Sequence, residues 1–357
     1  MEALKLHMDC DGYYAACQIS EDPDLLGKPM VVGGDQEARH GIVLAKSQEA
    51  KRLGIKTGNP LWKAREVCPN LVVVPADFDL YKRMTDEHRA IAGRYGPVQP
   101  YGPDEQWIDL GRTTYEEGQR VADEIRSSVY RELGITASIG VSYSKIVAKL
   151  GSDYRKPNGT TVIRRDNLKG MVWPLPAKDL FFVGPATNQK LQKHGIITIG
   201  DIANAGSAML RSLLGKNGET IWEYANGLDT SLVVDKPSPI KSIGNRATYP
   251  RDLYIADEIK AGFWVLSEAV ARRLRLHEFK AQTVSIYIRD KHLNSCERQM
   301  KVRRPTQLAH EIMETALALF NANRNFLSGA PVRSLGIKGM NLQAANKYTQ
   351  LSFLPEE

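Results

Sequence analysis

The stretch TASIGVSYSKIVAKLGSDYRKPNG, residues 136–159, decides the fold. Its first part, TASIGVSYS (136–144), predicts a strand, and SKIVAKLGSDYRK (144–156) predicts a helix. A Pro-Asn-Gly turn follows Lys156, after which TTVI (160–163) predicts a second strand. A strand, a helix and another strand in succession indicate an α/β sheet that is covered by helices.

The segments on the N-terminal side add to the same sheet. EEGQRVADEIRSSVYREL (116–133) has apolar residues at helical spacing, and VQPYGPDEQWIDL (98–110) is strand-like apart from its Gly-Pro break. The chain begins with a predicted strand that leads into KLHMDCDGYYAA (5–16). Its apolar residues alternate, which predicts one buried face formed by Leu4, Leu6 and Met8. The opposite face is then expected to carry four polar side chains, those of Lys5, His7, Asp9 and Asp11.

The rest of the chain divides into further modules, without an internal repeat of fixed period. Residues 19–75 form a small insertion with its own strands and a helix, and residues 169–230 predict short helices broken at glycines. DKPSP (235–239) is a proline-bearing linker, and the final block alternates strand, helix and strand. We therefore expect four modules in an α/β (α+β) multidomain protein.

The composition is that of a globular protein. At 357 residues and 42% hydrophobic residues, the chain is too long for a single core. The sequence has no run of about 20 apolar residues that could span a bilayer, and its first residues lack the pattern of a signal peptide. Its four cysteines have no zinc-like spacing and are expected to be reduced. Together these features predict a cytoplasmic protein with no membrane partner.

The excess positive charge lies in the last third of the chain. Residues 231–357 hold 19 Lys and Arg against 12 Asp and Glu, whereas residues 1–230 hold 29 of each kind. A basic module beside a neutral body suggests a polyanion partner such as nucleic acid, and a solvated basic surface explains the charge equally well.

Three carboxylates stand out against this background. Asp9 ends the first strand, and Asp104 and Glu105 lie inside GPDEQWIDL. Carboxylates from two strands of one sheet can converge on hard cations, which prefer oxygen ligands. Three of them can hold two magnesium ions roughly 3.5–4 Å apart, the arrangement used for in-line displacement at phosphorus. Lys156, just before its turn, can reach a phosphate.

Four segments together resemble the Y-family (translesion) DNA polymerases of bacteria: MDCDGYYAA (8–16), the Asp104-Glu105 pair, residues 136–159 and KSIGNRATYPRDL (241–253). The resemblance covers essentially the whole chain and implies the right-hand architecture of that family. Its domains would be a palm at 1–18 and 76–168, fingers at 19–75, a helix–hairpin–helix-like thumb at 169–230, a linker at 231–240, a DNA-binding little finger at 241–348 and a clamp-binding tail at 349–357.

The resemblance also implies a metal site. Asp9, Asp104 and Glu105 match the catalytic, metal-binding carboxylates of the family, and the backbone carbonyl of Cys10 would complete the shell of one metal ion. Two Mg²⁺ ions are expected, and Mn²⁺ is expected to be able to replace them. Asp11 is not a ligand in the family pattern, so we expect its role to be structural.

For the nucleotide, the resemblance implies three kinds of contact. Tyr14 matches the steric gate, whose ring would collide with a ribose 2′-hydroxyl and so select deoxyribonucleotides. Gly12 and Tyr13 would offer backbone N–H groups to the triphosphate, with packing under the sheet as the alternative for the ring of Tyr13. Lys51 and Lys156 would reach the phosphates.

The finger helix departs from the family pattern. Where the family has Thr or Ser, then Tyr and Arg, this chain has Ala45, Gln48 and Lys51, and a lysine keeps the charge of arginine without its fork. Gly102 and Pro103 replace the usual Ser-Ile or Ser-Val before the acidic pair. The retained carboxylates predict activity, and the changed finger residues leave nucleotide affinity and efficiency open.

Contacts with DNA are expected in two places. VGPATNQKL (183–191) resembles a helix–hairpin–helix, in which Gly184 would bring backbone N–H groups to a phosphate, and a plain turn between helices is the alternative. Phe182 stands where the first glycine of such a hairpin often sits. The last module offers basic residues to DNA phosphates, among them Lys241, Arg246, Lys301, Arg303 and Arg304.

The tail QLSFLPEE (350–357) resembles the peptide by which bacterial polymerases bind the ring-shaped sliding clamp. Five residues would make that contact: Gln350, Leu351, Ser352, Phe353 and Leu354. A frayed chain end is the alternative.

The function that the resemblance implies is a template-directed DNA polymerase of low fidelity, which adds deoxynucleotides to a primer 3′ end in translesion synthesis and repair. Its partners would be primer–template DNA, deoxynucleoside triphosphates and the sliding clamp, and it would act as a monomer. One alternative is a catalytically weak or inactive relative that serves as a DNA- and clamp-binding scaffold. A non-enzymatic nucleic-acid binder is the other, and it leaves the carboxylates unexplained.

Overall fold

The computed structural model describes residues 1–35, 41–236 and 239–347. Of the described residues, 1–34 and 41–236 form one compact unit and 239–347 belong to the other. The predicted clamp-binding residues 350–354 lie outside the described part of the chain. Within that part, none of the helices combines the length and the apolar character needed to cross a membrane.

The strands are, in chain order, β1 Glu2–Cys10, β2 Met30–Gly33, β3 Val43–Lys46, β4 Val72–Val74, β5 Val98–Tyr101, β6 Glu105–Thr113, β7 Ala137–Ser142, β8 Thr160–Ile163, β9 Ser242–Leu253, β10 Phe279–Asp290, β11 Ser295–Thr306 and β12 Val332–Ala344. The α-helices are α1 Tyr13–Glu21, α2 Gln48–Arg52, α3 Leu61–Val67, α4 Phe78–Gly93, α5 Tyr115–Leu133, α6 Lys145–Tyr154, α7 Leu168–Val172, α8 Pro185–Lys193, α9 Ile199–Ala205, α10 Ser207–Leu214, α11 Lys216–Ala225, α12 Ala256–Leu276 and α13 Ala309–Ala322.

The N-terminal unit is built around a five-stranded sheet with the order β5-β6-β1-β7-β8. The predicted strand, helix and strand of residues 136–163 are confirmed as β7, α6 and β8, and β7 and β8 are parallel. Ser144 caps α6 by accepting a hydrogen bond from the N–H of Val147. β1 lies in the middle of the sheet and pairs antiparallel with both β6 and β7.

The expectation that β1 has only one buried face is wrong, although the opposite face carries the predicted polar residues. Lys5, His7, Asp9 and Asp11 are at most 8% exposed. Helix α6 covers that face, and it comes close because Gly140 of β7 has no side chain: a Cβ there would lie 1.9 Å from the carbonyl oxygen of Ala148. The sheet is therefore covered on both sides, and the polar residues of β1 are held inside the protein.

Two smaller groups complete the N-terminal unit. Residues 30–74 contain a three-stranded sheet with the order β3-β2-β4, together with α2 and α3, as predicted for the insertion. Helices α7 to α11 follow β8 and share a core in which Val172, Leu191 and Ile221 are fully buried. Residues 169–230 are therefore helical, as predicted.

The C-terminal unit is a four-stranded antiparallel sheet with the order β11-β10-β12-β9. Helices α12 and α13 pack against the sheet through a core that includes Phe263, Val270 and Ile312, all without exposed surface. The four cysteines of the chain are free thiols, as expected, and three of them are buried.

Candidate active site

A cleft of about 510 Å³ in the N-terminal unit brings together most of the predicted site residues. Two of the three predicted catalytic carboxylates line it, Asp9 and Asp104, and so does Asp11. The five predicted nucleotide-binding residues line it as well, namely Gly12, Tyr13, Tyr14, Lys51 and Lys156. Cys10 and the divergent finger residues Ala45 and Gln48 complete this side of the cleft. Residues separated by up to 147 positions in the sequence therefore meet at one place.

The sheet register places the carboxylates next to one another. Asp9 lies directly opposite Glu105 in the pairing of β1 with β6. The N–H of Cys10 donates to the carbonyl oxygen of Asp104 over 3.1 Å. Side chains opposite one another on antiparallel strands are about 4.5–5.5 Å apart at Cβ, so Asp9 and Glu105 share one face of the sheet.

Two lysines are bonded to these carboxylates. The Nζ of Lys156 lies 2.6 Å from Asp9 and 2.9 Å from Asp153, while Lys149 donates to Glu105. Within the described residues, no group of three or more His, Cys, Asp or Glu side chains has the arrangement of a metal site. Asp9 and Asp104 face the cleft together, whereas Glu105 is turned towards Lys149.

Burial sets the pKa values of the two cleft carboxyls. Burial raises the pKa of Asp9 to about 6, even though Lys156 opposes the shift. Burial and the charge of Glu105 also raise the pKa of Asp104. An added cation favours the ionised form of two carboxyls whose burial disfavours it, and their oxygen atoms are the ligands that Mg²⁺ and Mn²⁺ prefer. The donor set therefore fits a divalent metal ion.

Glu105 is held in its ionised form. Burial raises its pKa, but the nearby side chains of His7 and Lys149 outweigh that effect and bring it to about 2. Burial lowers the pKa of His7 to about 4, so His7 is neutral at pH 7 and its Nε2 lies 3.2 Å from the Glu105 carboxylate. Lys149 is therefore the cation that keeps Glu105 charged.

The two tyrosines at the start of α1 have different environments. The ring of Tyr14 stacks on Tyr81, with centroids 4.2 Å apart and planes 14° apart, and meets the edge of Phe78. Tyr13 is buried, and its hydroxyl donates to the carbonyl oxygen of Tyr81 over 2.8 Å. The ring of Tyr13 therefore packs in the core, while its backbone lies in the first turn of α1, where N–H groups have no partner within the helix.

Asp11 also lines the cleft, and its carboxylate bonds to the neighbouring segments of the chain. Its carboxylate accepts hydrogen bonds from the hydroxyls of Thr136 and Ser138, each over 2.9 Å, and from the N–H of Asn158 over 2.8 Å. These contacts join the end of β1 to β7 and to the turn after Lys156. The geometry agrees with the structural role expected for Asp11.

Sequence reasoning missed two polar residues of the cleft, Lys46 and Thr57. The Nζ of Lys46 donates to the hydroxyl of Thr57 over 3.1 Å. Burial and the neighbouring charge of Lys51 lower the pKa of Lys46. The sequence places Lys46 directly after Ala45, one of the finger residues already compared with the family, and this position could have identified it.

The residues predicted to contact DNA lie in both units. Gly184 is exposed and directly precedes α8, and Phe182 is exposed with a backbone φ of 68°. In the C-terminal unit, Arg246 lies on β9 with its guanidinium carbon 3.3 Å from the ring centroid of Tyr287. Lys241 is exposed just before β9, and the remaining residues are exposed on β11 at the opposite edge of the sheet: Lys301, Arg303 and Arg304.

This fold is that of a Y-family DNA polymerase. The solved structure of a protein titled "Y-family DNA polymerase chimera Dbh-Dpo4(243-245)-Dbh" matches with a TM-score of 0.85 and 22% identity, over 96% of this chain and 99% of that one. The predicted α/β right-hand multidomain fold is thereby confirmed. The domain boundaries stay predictions.

Sequence comparison places the chain more narrowly. The model of the impB/mucB/samB family matches residues 8–153, and the model of the C-terminal domain of that family matches residues 240–353. A protein of Acetivibrio thermocellus named DNA polymerase IV is 42% identical, over 100% of this chain and 90% of its own length. DNA polymerase IV of Bacillus velezensis and DNA polymerase IV 1 of Bacillus subtilis are each 35% identical, over 97% of this chain and 84% of theirs. The chain belongs to the impB/mucB/samB family.

Proposed function

We propose that this chain, a DNA-directed DNA polymerase of the low-fidelity translesion class, adds deoxynucleotides to a primer 3′ end with Asp9, Asp104 and Glu105 as its catalytic carboxylates. The observation that carries this proposal is the cleft, in which two of these carboxylates meet the first turn of α1 and three lysines. Such a combination suits a nucleoside triphosphate, because it offers N–H groups and positive charge to phosphates beside oxygen ligands for their metal.

Relatives of this kind depend on divalent metal ions, and we propose two Mg²⁺ ions here, with Mn²⁺ able to replace them. Asp9, Asp104 and the carbonyl of Cys10 would hold one ion, and Glu105 would join the shell of the other. When bound, the ions supply neutralising charge for the phosphates and lower the pKa of the primer hydroxyl.

The remaining residues of the cleft position the nucleotide. Lys156 lines the cleft with its Nζ 2.6 Å from Asp9, and it offers positive charge to a phosphate bound there. Lys51 and the N–H groups of Gly12 and Tyr13 bind the triphosphate further along the cleft. Tyr14 excludes a ribose 2′-hydroxyl, and the stacked ring of Tyr81 prevents it from retreating into the core.

DNA is a partner of the enzyme, and we propose the exposed residues that contact it. Gly184 at the start of α8 binds a phosphate through its backbone, and Lys241, Arg246, Lys301, Arg303 and Arg304 bind phosphates in the C-terminal unit. We also propose that residues 350–354 bind the sliding clamp, and that the enzyme acts as a monomer in the cytoplasm.

The two alternatives are not favoured. An inactive scaffold and a non-enzymatic DNA binder both leave unexplained why buried carboxylates lie beside three lysines in one cleft. Homologues named DNA polymerase IV cover nearly the whole chain, which also argues for catalysis.

Primer extension separates the three functions. The purified chain is incubated with a labelled primer–template, Mg²⁺ and the four deoxynucleotides, and the products are resolved by length. We expect stepwise extension that stops when Mg²⁺ is chelated. Binding of DNA without extension in either Mg²⁺ or Mn²⁺ would reject the polymerase in favour of a binding protein.

A further inference from the structure

Aromatic rings form a continuous row beside the candidate active site. Tyr101 ends β5, and Phe181 and Phe182 lie in the turn before α8. The ring centroids of Tyr101 and Phe181 are 5.6 Å apart, and those of Phe181 and Phe182 are 4.3 Å apart. We call these three residues the aromatic ridge. Tyr101 and Phe182 are 41% and 52% exposed, so the ridge reaches the protein surface.

Core packing does not account for Phe182. Its φ of 68° lies in the left-handed region. Residues other than glycine lose stability in that conformation. A glycine would adopt this backbone without strain. Half of the side chain is exposed, and its ring neighbours are Phe181 and the more distant Tyr224, whose centroid is 6.0 Å away. A large apolar ring at a strained, exposed position points to a contact outside the protein.

The ridge begins next to the catalytic carboxylates. Lys149, which donates to Glu105, has its Nζ 5.5 Å from the ring centroid of Tyr101 and 5.9 Å from that of Phe181. The rings therefore start within roughly two 3.4 Å nucleotide steps of Glu105. A nucleic-acid strand that ends at Glu105 would run along them.

We propose that the aromatic ridge binds the primer strand of primer–template DNA next to its 3′ end, by contact of the rings with bases and deoxyriboses. This inference rests on the proposed function, because that function places the primer end beside Glu105. Exposed aromatic rings next to a cation are the combination with which proteins bind nucleic-acid strands, since every base and sugar offers an apolar face. Lys149 is the cation nearest to the rings, and its Nζ is paired with Glu105.

The test compares the full chain with two variants by fluorescence anisotropy of a labelled primer–template. Phe182→Gly removes the ring and relieves the backbone, and Tyr101→Leu removes the ring nearest Glu105. We expect each variant to bind roughly tenfold more weakly, the effect of losing one stacking ring. The slope of affinity against salt should stay unchanged, because no charge is removed. Tyr130→Ala, at an exposed tyrosine on α5, is the matched control and should bind like the parent.

Thermal unfolding distinguishes a DNA contact from packing. Because glycine suits the backbone of Phe182, the Phe182→Gly variant should unfold at the same temperature as the parent or higher. Weaker binding combined with a lower unfolding temperature would assign the ring to packing and overturn the inference, as would unchanged binding. Failure of the proposed function would give a different result: the parent chain would bind DNA and would not extend primers.

Discussion

Replacing Asp11 tests whether this acidic residue supports the fold or binds metal. Its carboxylate accepts three hydrogen bonds, from Thr136, Ser138 and Asn158. Asp11→Ala leaves the fully buried hydroxyl of Ser138 without this acceptor, at a cost of about 1–3 kcal/mol. The other two donors are partly exposed and can donate to water instead, so the loss of each hydrogen bond costs about 0.5–1.5 kcal/mol. The alanine variant should therefore lose roughly 2–6 kcal/mol of unfolding free energy.

Asp11→Asn is the informative contrast. An amide oxygen can accept from Thr136 and Asn158 together, and the hydroxyl of Ser138 can rotate to accept from the amide nitrogen. Only the charge contribution to the hydrogen bonds is lost, so the expected loss is about 1–2 kcal/mol. Since Asp11 is not a ligand in this account, the asparagine variant should also keep most of its primer-extension rate.

Urea unfolding followed by tryptophan fluorescence measures both effects. Four of the five tryptophans lie in the N-terminal unit, and the buried Trp107 lies against His7 in the same sheet as Asp11. Equal destabilisation by the two substitutions would refute the hydrogen-bond argument. An asparagine variant that is stable but as inactive as Asp104→Asn would show that Asp11 is a ligand after all.

Three further predictions follow from the site and the fold. Tyr14→Ala should raise ribonucleotide incorporation relative to deoxyribonucleotide by roughly 10–100-fold, measured as a ratio of kcat/KM values, and an unchanged ratio would place sugar selection elsewhere. Gly140→Ala should lose about 1–3 kcal/mol of stability in urea unfolding, because its Cβ would lie 1.9 Å from the carbonyl oxygen of Ala148, and a stable variant would contradict the close approach of α6. Removing residues 350–357 should leave extension without the clamp unchanged and abolish stimulation by it, while calorimetry that detects no binding of a 346–357 peptide to the clamp would reject that role.

The segments with strong local signals were predictable from the sequence. TTVI (160–163) coincides with β8, and the helical spacing in 116–133 identifies α5 to within one residue. Strand β11 was not predicted, because it lies at the edge of its sheet and most of its side chains are exposed, so it has no apolar alternation.

The sequence predicted which residues belong to the site, but it did not predict the contacts between them. Motif resemblance identified the residues that line the cleft, since residue types are visible in a sequence. The pairing of Lys149 with Glu105 and the burial of His7 depend on the approach of α6 to β7, which is a tertiary contact. The inclusion of Lys46 and Thr57 likewise depends on a tertiary contact, the packing of β3 against α1.

Nucleotide addition is proposed to depend on Asp104, which lines the cleft, and on Glu105, which lies beside it. Single-turnover incorporation of one deoxynucleotide, measured with the Asp104→Asn and Glu105→Gln variants, tests this dependence most directly, with Glu87→Gln on the exposed side of α4 as the control. We expect the Asp104 and Glu105 variants to lose roughly 10³-fold or more of the rate, the control to keep it, and primer–template affinity to stay close to that of the parent in all three. A rate near that of the parent in either the Asp104 or the Glu105 variant would contradict the assignment of the catalytic site.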